Sequence, residues 1–379
     1  MSLSRRHFLR NSSASAVAIP LLLNANIDYC EAAAMDTSYG LSMGFPEDAI
    51  RLNWNENTLG PSPLAIQGAK AGLADAYRYA LGGLLTPFLA EYHGVSKDWI
   101  LMGTGSTELQ RLAPATHLKE GGNVVSSSET WAGGLRVAEH MGIAVKRVNL
   151  LEDQDYAYDV DSLLAAVDSN TQLFIMVTPN NPTGTSLTYL ELKRIADALP
   201  KHVLFVIDEA YTDYLADDWG DGIDLIKEGY ENVLVTRTFS KAHGMAGLRC
   251  GYGVAHPDIL KNIKKFGCGP ASTNIVAFGA VQGALSDLEH AKRSRAYVQK
   301  SRAYYQQQCK KLGLKSISGP SPFTLIKMGD RTSSIQQSLK DRKILVANGK
   351  SWNVPNYLRV SYGREKENQT FFKELKKLL

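Results

Sequence analysis

Apolar positions in this chain fall into short continuous runs, separated by longer stretches where they recur at helical spacing. Ile100–Met102, Asn123–Val125, Ala144–Val148, Gln172–Val177, Val203–Ile207, Asn232–Val235 and Arg249–Val254 read as strands. Several are apolar throughout rather than alternating, the pattern of strands buried on both faces of a mainly parallel sheet. Strands alternating with helices specify an α/β domain. An alanine-rich helix pattern from Leu64 to Ala76 leads into it behind Pro61 and Pro63. After Pro270 the pattern changes to long helical stretches through Lys311. Strand patterns at Pro322–Lys327, Lys343–Val346 and Tyr357–Ser361 and a last helix follow, a smaller α+β domain. The expected division is a leader over 1–34, a loop-like arm and entrance segment over 35–63, a large domain over 64–270 and a small domain over 271–379.

Composition changes this picture little. The 379 residues are 44% hydrophobic and 21% charged, with a formal net charge of +4. No block of lysine or arginine stands out, so nucleic acid is not an expected partner. Cys30, Cys250, Cys268 and Cys309 lack the spacing of a zinc site or a disulfide framework, and no metal is expected. The first residues do change the picture. Ser4-Arg-Arg-His-Phe-Leu-Arg10, a short apolar run from Ala14 to Leu23 and Ala32-Ala-Ala34 before Met35 look like a twin-arginine export signal. The run is too short to span a bilayer as a mature helix. The expectation is a periplasmic mature chain beginning near Met35, or a cytoplasmic protein if the signal is not used, with no membrane association of the mature form.

The chemistry gathers at strand ends. Thr236-Arg-Thr-Phe-Ser-Lys241 ends one run, and Arg249 follows eight residues after the lysine. Lys241 on a glycine-containing loop is placed to form a Schiff base. Thr238, Ser240 and Arg249 would supply two hydroxyls and a fork of N–H groups for a phosphate. A lysine with a phosphate cradle is what holding pyridoxal 5′-phosphate (PLP) requires. Gly103-Thr-Gly-Ser-Thr-Glu108 opens a helix after a strand, where backbone amides meet phosphate well. Glu108 stands where a dinucleotide fingerprint would need its third glycine. In Val177-Thr-Pro-Asn-Asn-Pro-Thr-Gly184 the prolines fix Asn181 at the C-terminal edge of the sheet.

Val206-Ile-Asp-Glu-Ala-Tyr211 also resembles the magnesium-binding strand of a P-loop NTPase. That reading fails, because Gly349-Lys350-Ser351 has Ile344 in place of the leading glycine and lies in the other domain. In a PLP site Asp208 would face the pyridine nitrogen and Tyr211 the ring oxygen. Arg359, within the apolar strand of Tyr357-Leu-Arg-Val-Ser-Tyr-Gly363, would take a substrate carboxylate or an internal acid.

Together, in order and spacing, these motifs resemble the fold-type I PLP-dependent aminotransferases of class I/II, most closely the histidinol-phosphate aminotransferase branch. The resemblance runs from Arg51 to Gly363 and implies a large domain with a mainly parallel central sheet flanked by helices, plus a smaller α+β domain. It implies Lys241 as Schiff-base lysine and proton shuttle, Asp208 on the pyridine nitrogen, and Asn181 and Tyr211 on the ring oxygen. Gly105, Ser106, Thr107, Thr238, Ser240 and Arg249 would hold the phosphate. Trp131 takes the place of the aromatic residue, usually tyrosine, that stacks on the ring. Tyr79 would complete the neighbouring subunit's site in a homodimer. Asn55, with Glu56 and Asn57, would stand at the substrate entrance, and Arg359 would bind the substrate carboxylate. An amino acid and a 2-oxo acid would then react in turn by a ping-pong mechanism.

One departure bears on substrate. The branch usually carries an arginine for the substrate phosphate after the Ile-Leu-Val strand, and here the residue is Ala347. A phosphate dianion would lose a charge-assisted partner worth about 1.5–3 kcal/mol, roughly ten- to a hundredfold in affinity. The expected substrate is therefore not histidinol phosphate. A decarboxylase of the threonine-phosphate type and a PLP-binding protein without turnover are the alternative readings of the same residues.

Overall fold

The structure, a computed structural model, describes residues 48–80, 85–216, 219–267 and 272–379. The expected export signal, Cys30 and Cys268 lie outside them. Seven strands form the larger sheet: β2 (Ile100–Gly103), β3 (Asn123–Ser127), β4 (Ala144–Val148), β5 (Thr171–Val177), β6 (Leu204–Asp208), β7 (Val233–Thr238) and β8 (Gly251–Ala255). Their order is β2-β8-β7-β6-β5-β3-β4. The five from β7 to β4 pair in parallel, while β8 runs against both β7 and β2. Every residue of β6 and β7 is buried, which is why these runs are continuously apolar until their last positions.

Those last positions matter most. Register sets Asp208 between Val177 of β5 and Thr236 of β7. The reversed β8 begins with Gly251 abreast of both Thr238 and Gly103. The C-terminal ends of β2, β5, β6 and β7 and the start of β8 thus open onto one edge of the sheet, where ligands of open α/β sheets bind.

The smaller sheet has the order β1-β11-β12-β10-β9, built from β1 (Ile50–Leu52), β9 (Ser316–Ile317), β10 (Phe323–Lys327), β11 (Ile344–Asn348) and β12 (Tyr357–Ser361). The segment expected as loop before residue 60 therefore contains a strand, β1, parallel to β11. It returns the chain to the small sheet just before Asn53–Asn57. A second tie is the pair of helices Pro63–Ala74 and Ile275–Ser286. Ser62 caps the first by accepting from Ala65 N at 3.0 Å, with Pro63 in its first turn. Their axes approach so closely that a Cβ on Gly68 would stand 2.0 Å from Gly279 O, and one on Gly283 2.1 Å from Leu64 O. Only glycine permits this contact. Among the described residues no helix is long and apolar enough to cross a membrane.

Candidate active site

Behind β7 the chain turns through Phe239 and Ser240 to Lys241. Gly244, with φ 68°, closes the turn, and a Cβ there would lie 2.3 Å from Gly60. The entrance segment is thereby pressed onto the lysine loop. Lys241 Nζ donates to Trp54 O at 3.0 Å. Burial, with the positive charges of Arg359 and Arg249 nearby, lowers its pKa to about 8. An amine so placed is a nucleophile and base near neutrality.

Next to it lies a cradle made of the groups the sequence singled out. Arg249, in left-handed backbone at φ 50°, sends Nη1 to Ser240 Oγ at 3.3 Å and Nη2 to Thr104 O at 3.4 Å. Ser240 and Thr238 hydroxyls meet at 2.9 Å. Gly105 (φ 77°) precedes the helix Ser106–His117, and a side chain there would come within 2.5 Å of Arg249 Nη2. A Cβ on Gly251 would stand 2.4 Å from Ser106 N. Two glycines thus keep a helix N-terminus, two hydroxyls and a guanidinium close enough for one small anion. Thr107 follows Ser106 in the first turn. Glu108 has a local task, accepting from Thr104 N and Oγ1 at 2.6 Å each.

Asp208 is 4% exposed and lines a cavity with Trp131, Gln110, Gly134, Ile175, Val177 and Val206. Ala210 N donates to it at 3.2 Å, but burial dominates and raises its pKa to about 7. A carboxylate facing an aromatic and aliphatic cavity calls for a cationic N–H. Glu209, next along, points away into a buried cluster. It takes Arg237 Nε at 2.9 Å and Nη2 at 2.7 Å, while Asp221 takes Nη2 at 2.5 Å.

Arg359 comes from mid-β12 and is 4% exposed. Its Nη1 donates to Asn181 Oδ1 at 2.5 Å and its Nη2 to Asn53 O at 2.6 Å. The guanidinium lies 4.2 Å from the centre of the Trp352 ring and 5.5 Å from that of Phe323. Its Nε is buried without an acceptor, and among the described residues no carboxylate pairs with it. Burial lowers its pKa to about 10, which leaves it charged at neutral pH. An internal ion pair, the alternative for this arginine, is absent among the described residues.

The entrance segment laces these groups together. Asn55, in left-handed backbone at φ 54°, donates Nδ2 to Tyr211 Oη at 2.9 Å and accepts Ser361 Oγ at 2.8 Å. Asn57 Nδ2 donates to Ala242 O at 2.8 Å, and Ser294 Oγ reaches the same carbonyl at 2.9 Å. Glu56 pairs with Arg51. Tyr211 is 3% exposed, and burial raises its phenol to about 12. Asn181 and Tyr211 are brought to one place through Arg359 and Asn55. Tyr79, by contrast, is 83% exposed. Sequence reading missed Asn53, Gln110, Ser294 and Trp352. Of these, Gln110 left a signal, because an indole at position 131 needs an acceptor for its N–H.

The family model for aminotransferase class I and II matches residues 48–375. The chain belongs to this family. A histidinol-phosphate aminotransferase of Symbiobacterium thermophilum is 35% identical over 334 residues, 88% of this chain and 91% of that protein. Histidinol-phosphate aminotransferase 2 of Pseudomonas fluorescens Pf-5 is 33% identical over 340 residues, 88% of this chain and 90% of that one. The crystal structure of the Sinorhizobium meliloti histidinol-phosphate aminotransferase with pyridoxal-5′-phosphate superposes with a TM-score of 0.80 at 24% identity, over 97% of this chain and 100% of that one. That of L-threonine-O-3-phosphate decarboxylase from Porphyromonas gingivalis gives 0.73 at 20%, over 87% and 99%. At those identities the likeness is one of fold, the fold-type I α/β architecture expected from the sequence. This aminotransferase is PLP-dependent, and its site fits the cofactor. The Gly105–Arg249–Ser240 cradle suits the phosphate, the Asp208–Trp131 cavity a flat cationic ring, and Lys241 is near enough to feel the charges of Arg249 and Asp208.

Proposed function

We propose that the protein moves an amino group from an amino acid to a 2-oxo acid in two successive half-reactions, with a substrate whose side chain carries no phosphate. The observation that carries this reading is Arg359. A buried guanidinium whose Nε has no acceptor and which pairs with no carboxylate among the described residues, near enough to Lys241 for its charge to lower the lysine pKa, is a receptor for the α-carboxylate shared by an amino acid and its oxo acid.

Bound PLP supplies an electron-accepting ring that stabilises charge at the substrate α-carbon. Asp208 would hold a proton on the ring nitrogen, while Asn181 and Tyr211 would bind the ring oxygen. Gly105, Ser106, Thr107, Thr238, Ser240 and Arg249 would hold the phosphate, and Trp131 would cover the ring face. Lys241 would hold the cofactor through its Nζ. The same Nζ would move the proton at the substrate α-carbon, which suits an amine whose pKa is lowered to about 8. Arg359 and the Asn53–Asn57 segment orient the carboxylate and cover the mouth.

The relatives' names make histidinol phosphate the first donor to compare. Against it stands Ala347, directly across from Arg359 in the antiparallel β11–β12 pair. Opposite residues share a face, so this position beside the carboxylate receptor offers a methyl group where a phosphate would need a cation. Steady-state kinetics with neutral, acidic and aromatic amino acids and with histidinol phosphate test the reading. At least one ordinary amino acid should be preferred by tenfold or more, and preference for histidinol phosphate would refute the substrate assignment.

Two further parts belong to the proposal. Tyr79, with exposed Leu73 (64%) and Tyr77 (75%) nearby, supports a homodimer in which Tyr79 completes the neighbouring site. A monomer by sedimentation would contradict it. The twin arginines at the N-terminus support export to the periplasm. Periplasmic protein still beginning at Met1 by intact mass would argue against a cleaved signal.

A further inference from the structure

Gln110 lies one turn into the helix that starts at Ser106 and is 6% exposed. Its amide has a partner at each end. Oε1 accepts from the Trp131 indole Nε1 at 3.1 Å. Nε2 donates to Ser106 Oγ at 3.4 Å and to Thr236 Oγ1 at 3.3 Å. Ser106 belongs to the phosphate cradle, and Thr236 is the residue in register with Asp208. One buried amide therefore touches the aromatic wall, the cradle and the strand position beside the acid.

The packing around this amide leaves it no other place. A Cβ on Gly133 would stand 2.7 Å from Trp131 Nε1, and one on Gly134 2.7 Å from Gln110 O. The helix Gly133–His140 can start here only because its first two residues have no side chains. Bare backbone at Gly133 and Gly134 lets the indole edge and the amide meet. Chemistry explains the pairing. Indole is a donor only, so turning its N–H inward demands an acceptor. A carboxylate in that position would repel Asp208 across the cavity they both line. The uncharged amide accepts from the indole and donates to two hydroxyls at once.

We propose that Gln110 is a positioning residue that locks the plane of the Trp131 indole over the cofactor ring and ties it to the phosphate cradle. It acts through Trp131, and the proposal rests on PLP seating against that indole as described above. The test is a double-mutant cycle on PLP affinity, read by fluorescence titration of the cofactor-stripped full-length protein and its Gln110→Leu, Trp131→Phe and doubly substituted forms. Losing the acceptor strands an indole N–H, so Gln110→Leu should weaken PLP binding about tenfold with Trp at 131. With Phe at 131 there is no N–H to strand, and the same change should cost less than about threefold. The circular dichroism that the protein induces in bound PLP should fall in Gln110→Leu as the indole loses its fixed plane. Equal losses in both backgrounds, or none in either, overturn the proposal alone. Failure of the unaltered protein to bind PLP overturns both it and the site reading. If the leucine variant does not fold, Trp131→Phe decides: reduced induced dichroism supports the lock, and unchanged dichroism refutes it.

Discussion

Replacing Arg359 by lysine keeps a positive charge in the small domain but removes a plane and a fork. The native guanidinium holds Asn181 at 2.5 Å and Asn53 O at 2.6 Å, lies over the Trp352 ring at 4.2 Å, and keeps Nε for an incoming group. A lysine ammonium is a point donor on a flexible stem and cannot keep both fixed contacts while presenting a flat edge to a carboxylate. At least one charge-assisted hydrogen bond to the substrate is lost, about 1.5–3 kcal/mol, or roughly ten- to a hundredfold in kcat/KM. The loss should fall only on donors with an α-carboxylate. The assay compares an amino acid with the amine formed from it by decarboxylation, following the bound cofactor's absorbance in a single half-reaction. Arg359→Lys should slow the amino acid by that factor and leave the amine within about twofold, shrinking the preference for the carboxylate. Equal slowing of both would mean that Arg359 only supports the fold around Asn181, and the carboxylate role would be refuted.

Lys241, with its pKa lowered to about 8, should capture PLP at a rate that rises between pH 7 and 9 and then levels in stopped-flow mixing with stripped protein; a rise only above pH 10 would mark an ordinary lysine. Asp208 has a raised folded pKa of about 7, so the folded stripped protein holds a proton that the unfolded chain has released. Its stability should therefore fall as pH rises from about 4 to about 7, and urea unfolding of Asp208→Asn should lack that slope, a difference of a few kcal/mol at pH 8 (roughly). Gly68→Val drives carbon into the Gly279 carbonyl and should destabilise by about 3 kcal/mol, lowering Tm by several degrees. Gly247→Ala meets open space and should leave Tm unchanged.

What the sequence made legible and what it hid follow from the range of the interactions. Asp208, Lys241 and Gly105 sit where a buried apolar run stops, and a local pattern announces that. Arg359 was legible as an unwelcome charge inside an apolar strand. The strand Ile50–Leu52 was not, because three residues carry no period and their partner, Ile344–Val346, lies almost the whole chain away. Asn55 was legible only through the resemblance, as an entrance residue, and its left-handed backbone serves contacts to Tyr211 and Ser361 that only folding creates. Gln110 and Trp352 went unread. Their partners, Trp131 and Arg359, lie on other elements, so neither task is written in the neighbouring sequence.

The central claim is transamination at Lys241, and the visible spectrum of the PLP-loaded protein during addition of one amino acid, without any oxo acid, tests it most directly. The cofactor band should convert stoichiometrically to that of the aminated cofactor, return when a 2-oxo acid is added, and stay unchanged in Lys241→Ala. A band that persists while carbon dioxide is released would make the enzyme a decarboxylase, and conversion by Lys241→Ala at the normal rate would remove the lysine from the chemistry.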